Sequence, residues 1–416
     1  MKIAIEEKKL VMGLYCITML LSMLSIVDNV PFKAITYNIQ YLYIAIIIFF
    51  CFYDGILVWN SRMAIGIGVL VIHTLLYGVI FTNPYIKEYT NIHFRQLMIV
   101  YILVFFTCIY VYKKNCYQFF IEMTYMALAM FVLWCSTTHI GDFVNPMYFP
   151  KIFSRAERFR AAFGMGDVNY CGNYCVYMLI ISLFVDYEWK KSNKTPHKYI
   201  QIAMRGVNII TVWMLLSTAS RSGIISLCLF LICYKTLEMK EFILKHWKIL
   251  LKIGVTVVIC GLIIVFSTGV MASIWEESNR EGNFTINYPI FLEHKNLLNG
   301  IGYMDNSGWL NKMYRYNTTA MDVYYLYIFF DTGYLGAVII FGQMFYLLYY
   351  LVRYSNVHGR NLALSLFVMM LYYAIWQVNY MNYRYHTGIL HMIILFFFLM
   401  RINEKEDTYM IKIQRR

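Results

Sequence analysis

An all-α, multi-pass membrane protein is the fold class this sequence predicts, and three observations predict it. Of its 416 residues, 60% are hydrophobic and only 14% are charged, whereas soluble domains carry about 25% charged residues. The apolar residues fall in repeated runs of about 20, the length of helix that crosses about 30 Å of hydrocarbon. These runs are continuous, which excludes a barrel, whose strands alternate apolar and polar residues.

About 12 transmembrane helices are expected, over residues 10–28, 39–59, 63–82, 96–112, 118–138, 169–187, 206–219, 222–236, 249–268, 323–351, 361–380 and 386–400. The first follows MKIAIEEKKL and lacks a small-x-small cleavage site, so it reads as a retained span and not as a removed signal. The seventh and eighth are short and nearly continuous, and they read equally as one kinked hairpin around Ser220-Arg221-Ser222-Gly223. With the N-terminus inside, the inner segments hold about 22 Lys and Arg against about 13 in the outer loops. Among those inner segments are KKSNKTPHK at 190–198, the stretch 235–248 and the tail after residue 400. The asymmetry puts both termini in the cytoplasm. No internal repeat or low-complexity linker divides the chain, so residues 1–416 form a single polytopic membrane domain. Two outer loops stand out, an arginine-containing one at 138–168 and a large one at 269–322. The second is polar, aromatic and glycine-punctuated, and far longer than the roughly 2–8 residues of a compact connection.

The formal charge of +13 is largely that of loop lysines and needs no nucleic-acid partner, and no RRM-like or zinc-finger pattern is present. Ten cysteines are scattered without a CxxC pair. Cys171 and Cys175 share a helical face and read as small buried thiols. There is no Walker loop, HExxH, GxSxG or GxGxxG, and no outward acidic pair that would hold a metal, so no metal or other cofactor is expected. Two glycosylation sequons, at Asn283 and Asn317, are too short a signal to fix a source.

Four constellations carry candidate chemistry. In SRAERFRAAFGMGDVNYCGNY, Arg155, Arg158 and Arg160 sit near the entry to the sixth span. A guanidinium stays charged and its planar fork suits phosphate oxygens; snorkelling onto lipid headgroups is the alternative. Gly164, Gly166 and Asn169 then fit a tight turn into the helix. In LLSTASRSGIIS, Arg221 stands at the outer surface, either for a ligand or to cap helix carbonyls. The large loop opens with Trp275, Glu276, Glu277 and Arg280 and continues through Tyr303 and Trp309, rings that suit sugar faces or an interfacial belt. Its NLLNGIGY segment reads as a backbone turn that brings chain close to ligand. Asp322 tops the tenth span, and Asp331 lies about 13 Å deeper at 1.5 Å per residue. A carboxyl at that depth is a functional candidate or a group that holds the bundle together.

Taken together, RFRAAFGMGDVN, TASRSG, Arg280 followed by the NGIGY turn, and a closing helix with Gly333 and Gly336 resemble the O-antigen ligase and Wzy-type polysaccharide polymerase superfamily. The resemblance is best over about 155–340. It implies a GT-C-like, metal-independent glycosyltransferase of the bacterial inner (plasma) membrane. Its substrate would be an undecaprenyl-pyrophosphate-linked oligosaccharide met at the outer leaflet. A chain-length regulator and a flippase of the same pathway would be partners, besides membrane lipid. On this resemblance Arg155, Arg158, Arg160, Arg221 and Arg280 bind pyrophosphate, with Arg158 and Arg280 also catalytic. Trp275, Tyr303 and Trp309 face the glycan. The ligase branch carries a histidine eleven residues ahead of the first glycine of GxxG; here that position is Asp322, followed by Val323. The departure favours the polymerase branch and leaves Asp322, Glu276 and Glu277 open as the base. Transfer of the glycan to another acceptor, and flipping of the lipid-linked oligosaccharide, are the alternative activities.

Overall fold

The computed structural model describes residues 2–28, 30, 33–53, 56–81, 87–153, 159–193, 196–239, 298–300, 323–353, 359–376, 386–402 and 408–412, with the single positions 245 and 289. Among them eleven α-helices carry the fold: α1 (Lys2–Leu24), α2 (Lys33–Tyr53), α3 (Ser61–Leu75), α4 (Lys87–Lys113), α5 (Tyr117–Thr138), α6 (Val168–Lys191), α7 (Lys198–Thr218), α8 (Arg221–Glu238), α9 (Tyr324–Arg353), α10 (Arg360–Trp376) and α11 (His386–Ile402). Six are long and apolar enough to cross a membrane, namely α3 with its continuation to Ile80, α4, α5, α6, α7 and α9. Asn38–Tyr53 and Arg360–Ile375 are shorter apolar helices. The predicted span at 249–268 lies outside the described residues.

Neighbouring helices close into a ring. α1 packs on α2 and α5, α2 on α4, α4 on α3, α3 on α9, α9 on α10, and α10 on α8; α6 joins α8, α7 and α5. Inside it stands α11, which touches α1, α3, α4, α6 and α10. Its segment Met392–Met400, MIILFFFLM, is buried without interruption. A helix that is apolar all round belongs in an interior, and glycine helps seat it: a Cβ on Gly66 of α3 would fall 2.9 Å from the Phe396 ring. Tyr117 stacks on Phe397 with ring centroids 4.2 Å apart.

The helices are joined across their apolar faces by tyrosine hydroxyls. Tyr15 bonds Thr124 at 3.1 Å and Tyr43 bonds Thr107 at 3.0 Å. Thr74 donates to the Tyr101 hydroxyl at 3.3 Å, and Tyr325 donates to the Leu371 carbonyl at 2.7 Å. Tyr346 donates to the Arg62 carbonyl at 3.2 Å, and Tyr373 to Asn173.

Two departures from the predicted elements have local causes. The sequence predicts a second span running to residue 59, in an all-α chain; instead α2 stops at Tyr53, and Ile56–Asn60 forms strand β1. β1 pairs antiparallel with β2 (Thr408–Lys412), Ile56 opposite Lys412 and Asn60 opposite Thr408. Asp54-Gly55 interrupts the apolar run, and ILVWN is rich in β-branched and aromatic residues, which favour strands. Asn60 then caps α3 by accepting from Arg62 N at 2.9 Å and Met63 N at 3.3 Å. α7 begins at Lys198, ahead of the span predicted from 206, because Ile200, Ile202 and Met204 extend the apolar content of the helix toward its start.

The ends of the bundle are distinguished by their contacts. Glu7 meets Lys114 at 3.0 Å, and Lys113 reaches the Cys51 carbonyl. These bonds gather the start of α1 with the ends of α2 and α4. The β1–β2 ribbon follows α2 at that same end. At the other end Asp28 N, beyond α1, donates to the Gly164 carbonyl at 2.7 Å.

Two ring helices are irregular where they meet. α3 runs into a π-helical turn, Leu76–Ile80, and α9 breaks at Gly333, with φ 64° and ψ −164°. Asp331 and Thr332, fully buried, precede the break. The 298–300 turn seats on it: Leu335 N donates to the Leu298 carbonyl at 3.1 Å. A Cβ on Gly300 would stand 2.4 Å from Gly333 N. Residues 298–300 of the NLLNGIGY segment thus approach the break in α9.

That φ/ψ combination is essentially confined to glycine. Gly333→Ala should therefore cost about 1–3 kcal/mol. Gly342→Ala on the same helix, where a Cβ meets nothing within 4 Å, should leave stability unchanged or slightly raised. Thermal unfolding of the two purified variants in detergent checks this; equal melting temperatures would refute it.

Candidate functional site

At the end of the bundle marked by Asp28, two helices start side by side. α7 ends where Ala219 takes a left-handed conformation (φ 46°, ψ 33°), and Ser220 opens α8 by accepting from Gly223 N at 3.3 Å. α6 starts after Asp167, whose carboxylate accepts from Asn169 N at 2.6 Å. The same Ser220 hydroxyl donates to Asn169 Oδ1 at 3.3 Å, tying the two starts together. Gly172 makes this approach possible, since a Cβ there would lie 2.7 Å from that of Ser220. The seventh and eighth predicted spans are thus two helices separated at Ala219-Ser220, and Arg221 is the first residue of α8.

The α5–α6 connection is fastened over these starts. Ser217 accepts from Val144 N at 3.0 Å while donating to the Trp213 carbonyl at 2.9 Å, and its own carbonyl accepts from Ala161 N at 3.1 Å. Trp213 returns a bond to the Val144 carbonyl at 2.9 Å. Phe143 stands between Phe163 and Trp213, about 5.0 Å from each ring. Asp142 accepts from Phe163 N at 3.1 Å. The chain then turns through Phe163, Gly164 and Gly166, all at positive φ. At Gly164 the turn has no room for a side chain, because a Cβ would fall 2.4 Å from the His139 ring.

Arg160 lies in the extended segment before this turn, next to Ala161 and so beside the end of α7. Burial lowers its guanidinium pKa from the ordinary value; the carboxylate of Asp167 raises it, and the charge of Arg221 lowers it further. Two cations from distant parts of the sequence therefore act on each other here. The two acids at this place, Asp142 and Asp167, already accept backbone N–H groups. The starts of α6 and α8 add partial positive charge to the same region, and the end of α7 adds partial negative charge. Chemically, the two guanidinium groups offer forked donors suited to an anion with several acceptor oxygens, such as a phosphate, beside two carboxylates that balance their formal charge.

Of the residues singled out in the sequence, Arg160 and Arg221 are the two brought together here. Arg155, Arg158, Trp275, Glu276, Glu277, Arg280, Tyr303, Trp309 and Asp322 lie outside the described residues. Asp331 belongs to the break in α9. Cys171 and Cys175 are buried free thiols. Among the described residues no group of three His, Cys, Asp or Glu side chains could hold a metal ion. Sequence reasoning passed over Asp167 and Ser217; Asp167, directly before an apolar run, carries an N-cap signature. Ser217 carries no such local signal. Compared with known proteins, the chain matches no family model and no curated sequence.

Ser217→Ala should detach the connection, because it leaves the Val144 N–H buried without its acceptor, at a cost of about 1–3 kcal/mol. The expected outcome is faster proteolysis at residues 143–163 with the helices retained by circular dichroism. Unchanged proteolysis would show that Ser217 does not anchor the connection.

Proposed function

We propose that this chain is a glycosyltransferase that polymerises undecaprenyl-pyrophosphate-linked oligosaccharide repeats into surface polysaccharide at the outer leaflet of a bacterial plasma membrane. The observation that carries the reading is the convergence of Arg160 and Arg221 beside two helix starts. The chain would cross the membrane about twelve times in a GT-C-like arrangement, with both termini cytoplasmic. Support comes from the loop charge asymmetry, and from the start of α1 lying at the end of the bundle opposite the arginines.

In this proposal the terminal hydroxyl of an incoming lipid-linked repeat attacks the anomeric carbon of the growing chain. A bond forms between that oxygen and the anomeric carbon, and the bond from the anomeric carbon to the pyrophosphate oxygen breaks. The hydroxyl proton passes to a carboxylate, with Asp322, Glu276 and Glu277 as candidates. The leaving undecaprenyl pyrophosphate gains negative charge in the transition state, which Arg160 and Arg221, joined by Arg155, Arg158 and Arg280, would neutralise. Trp275, Tyr303 and Trp309 would hold the sugars. Chemistry of this kind needs no metal if guanidinium groups supply the positive charge.

Purified protein given only lipid-linked repeats should yield a ladder of longer lipid-linked chains on a gel. Arg160→Ala and Arg221→Ala should each lower the yield by about a hundredfold or more. Lysine at either position should rescue poorly, because a point charge does not reproduce the fork. Full activity in both alanine variants would remove this arginine pair from the site. Cells lacking the protein should accumulate single lipid-linked repeats; long lipid-linked chains would mean transfer to another acceptor, and repeats trapped on the inner leaflet would mean a flippase.

A further inference from the structure

At the opposite end of α6 lies an open cavity of about 540 Å³, between the last turns of α6 and the first turns of α7. Its volume is within the roughly 300–1,000 Å³ of small-ligand sites. The lining includes Asp186, Trp189, Lys190, Gln201, Arg205 and Asn208. Asp186 and Lys190 are one helical turn apart and share a face of α6. Arg205 faces them from α7, and both cations act on the Asp186 carboxylate. Glu122, bonded to the Trp189 indole, and Glu238, which interacts with Lys190, stand outside the lining; the lining side chains themselves carry two positive charges and one negative, a net +1. That complements a phosphodiester, which carries one negative charge.

The other walls fit such a group at a membrane interface. Trp189 gives its indole N–H to Glu122 at 2.8 Å, which fixes the ring, and indoles favour the headgroup level. Asn208 accepts from Tyr125 at 3.5 Å through its oxygen, and its amide nitrogen has no partner among the described residues. That NH2 is a spare donor for a phosphate oxygen. Met204 adds an apolar wall that suits the start of an acyl chain. Asp186 stands about 27 Å along α6 from Val168 at 1.5 Å per residue, so the cavity and the Arg160–Arg221 region are separated by nearly a bilayer core.

We propose that this cavity binds a phosphate ester of charge −1, the phosphodiester headgroup of a membrane lipid, with Arg205 and Lys190 on its oxygens and Asp186 offsetting part of the repulsion between the two cations. Occupation does not depend on the polymerase reading.

The test uses the full chain reconstituted in nanodiscs of phosphatidylethanolamine and phosphatidylglycerol, then released for native mass spectrometry. One phospholipid should stay bound to the wild type, and Lys190→Gln with Arg205→Gln should reduce retention by about tenfold, a loss of 1.4 kcal/mol. Lys8→Gln with Lys9→Gln removes the same two charges at the same end of the bundle, from the start of α1, and should retain lipid as the wild type does. A parallel titration of detergent-purified protein with inorganic phosphate distinguishes the source. Saturable phosphate binding lost in the double variant, with no lipid retained, would assign the site to a soluble phosphate and overturn the lipid assignment. Equal retention in all three proteins, or equal loss in the Lys8→Gln, Lys9→Gln protein, would overturn the site.

Discussion

In hydrocarbon a polar group without a partner costs several kcal/mol, and that constraint orders this fold. The chain has 38 tyrosines, residues that pack as well as phenylalanine but bring a hydroxyl that must be satisfied. In six pairs the hydroxyls find threonines, carbonyls and amides on neighbouring helices, linking α1 to α5, α2 to α4, α3 to α4, α9 to α10 and to α3, and α10 to α6, whereas the buried Tyr174 hydroxyl has no partner among the described residues. Such bonds contribute only about 0.6 kcal/mol each on average. Their larger effect is on register, because a helix that slides by one turn loses its partner and leaves two polar groups in an apolar surrounding.

The same constraint shapes the candidate site. Helix starts at the membrane surface expose N–H groups, and the chain uses its local carboxylates and hydroxyls to satisfy them. Asp142 and Asp167 serve Phe163 N and Asn169 N, and Ser217 and Ser220 serve Val144 N and Gly223 N. The acids keep their charge while doing so, and Asp167 acts directly on Arg160, so the two arginines stand in a region of balanced formal charge.

Much of this was legible before any coordinates. The positions of the apolar helices follow from run length, and the turn through Gly164 and Gly166 from its glycines. The sequence leaves 206–236 open between two spans and one kinked hairpin, and the division is decided by the bond from Gly223 N to the Ser220 hydroxyl. Other features depend on contacts distant in the sequence. The break at Gly333 is tied to a turn at 298–300, and β1 exists as a strand through its pairing with 408–412. Local reading therefore extended α2 through β1. The two arginines were recognised separately as phosphate ligands, but their meeting depends on Ser217 holding Ala161, a bond with no local pattern. Arg158, Arg280 and Asp322 fall outside the described residues, so for them the resemblance stands alone.

The central place of α11 has a consequence for how the protein is made. Its buried segment begins at Met392, so nearly the whole ring is synthesised before the helix that fills it. At about 5–20 residues per second, the gap between the emergence of α1 and that of α11 is roughly twenty seconds to more than a minute. Through that interval the inward faces of α1, α3, α4 and α6 must be covered by lipid, by each other or by an insertion chaperone. Arrival of α11 is then the step that expels the temporary occupants and packs the interior of the ring.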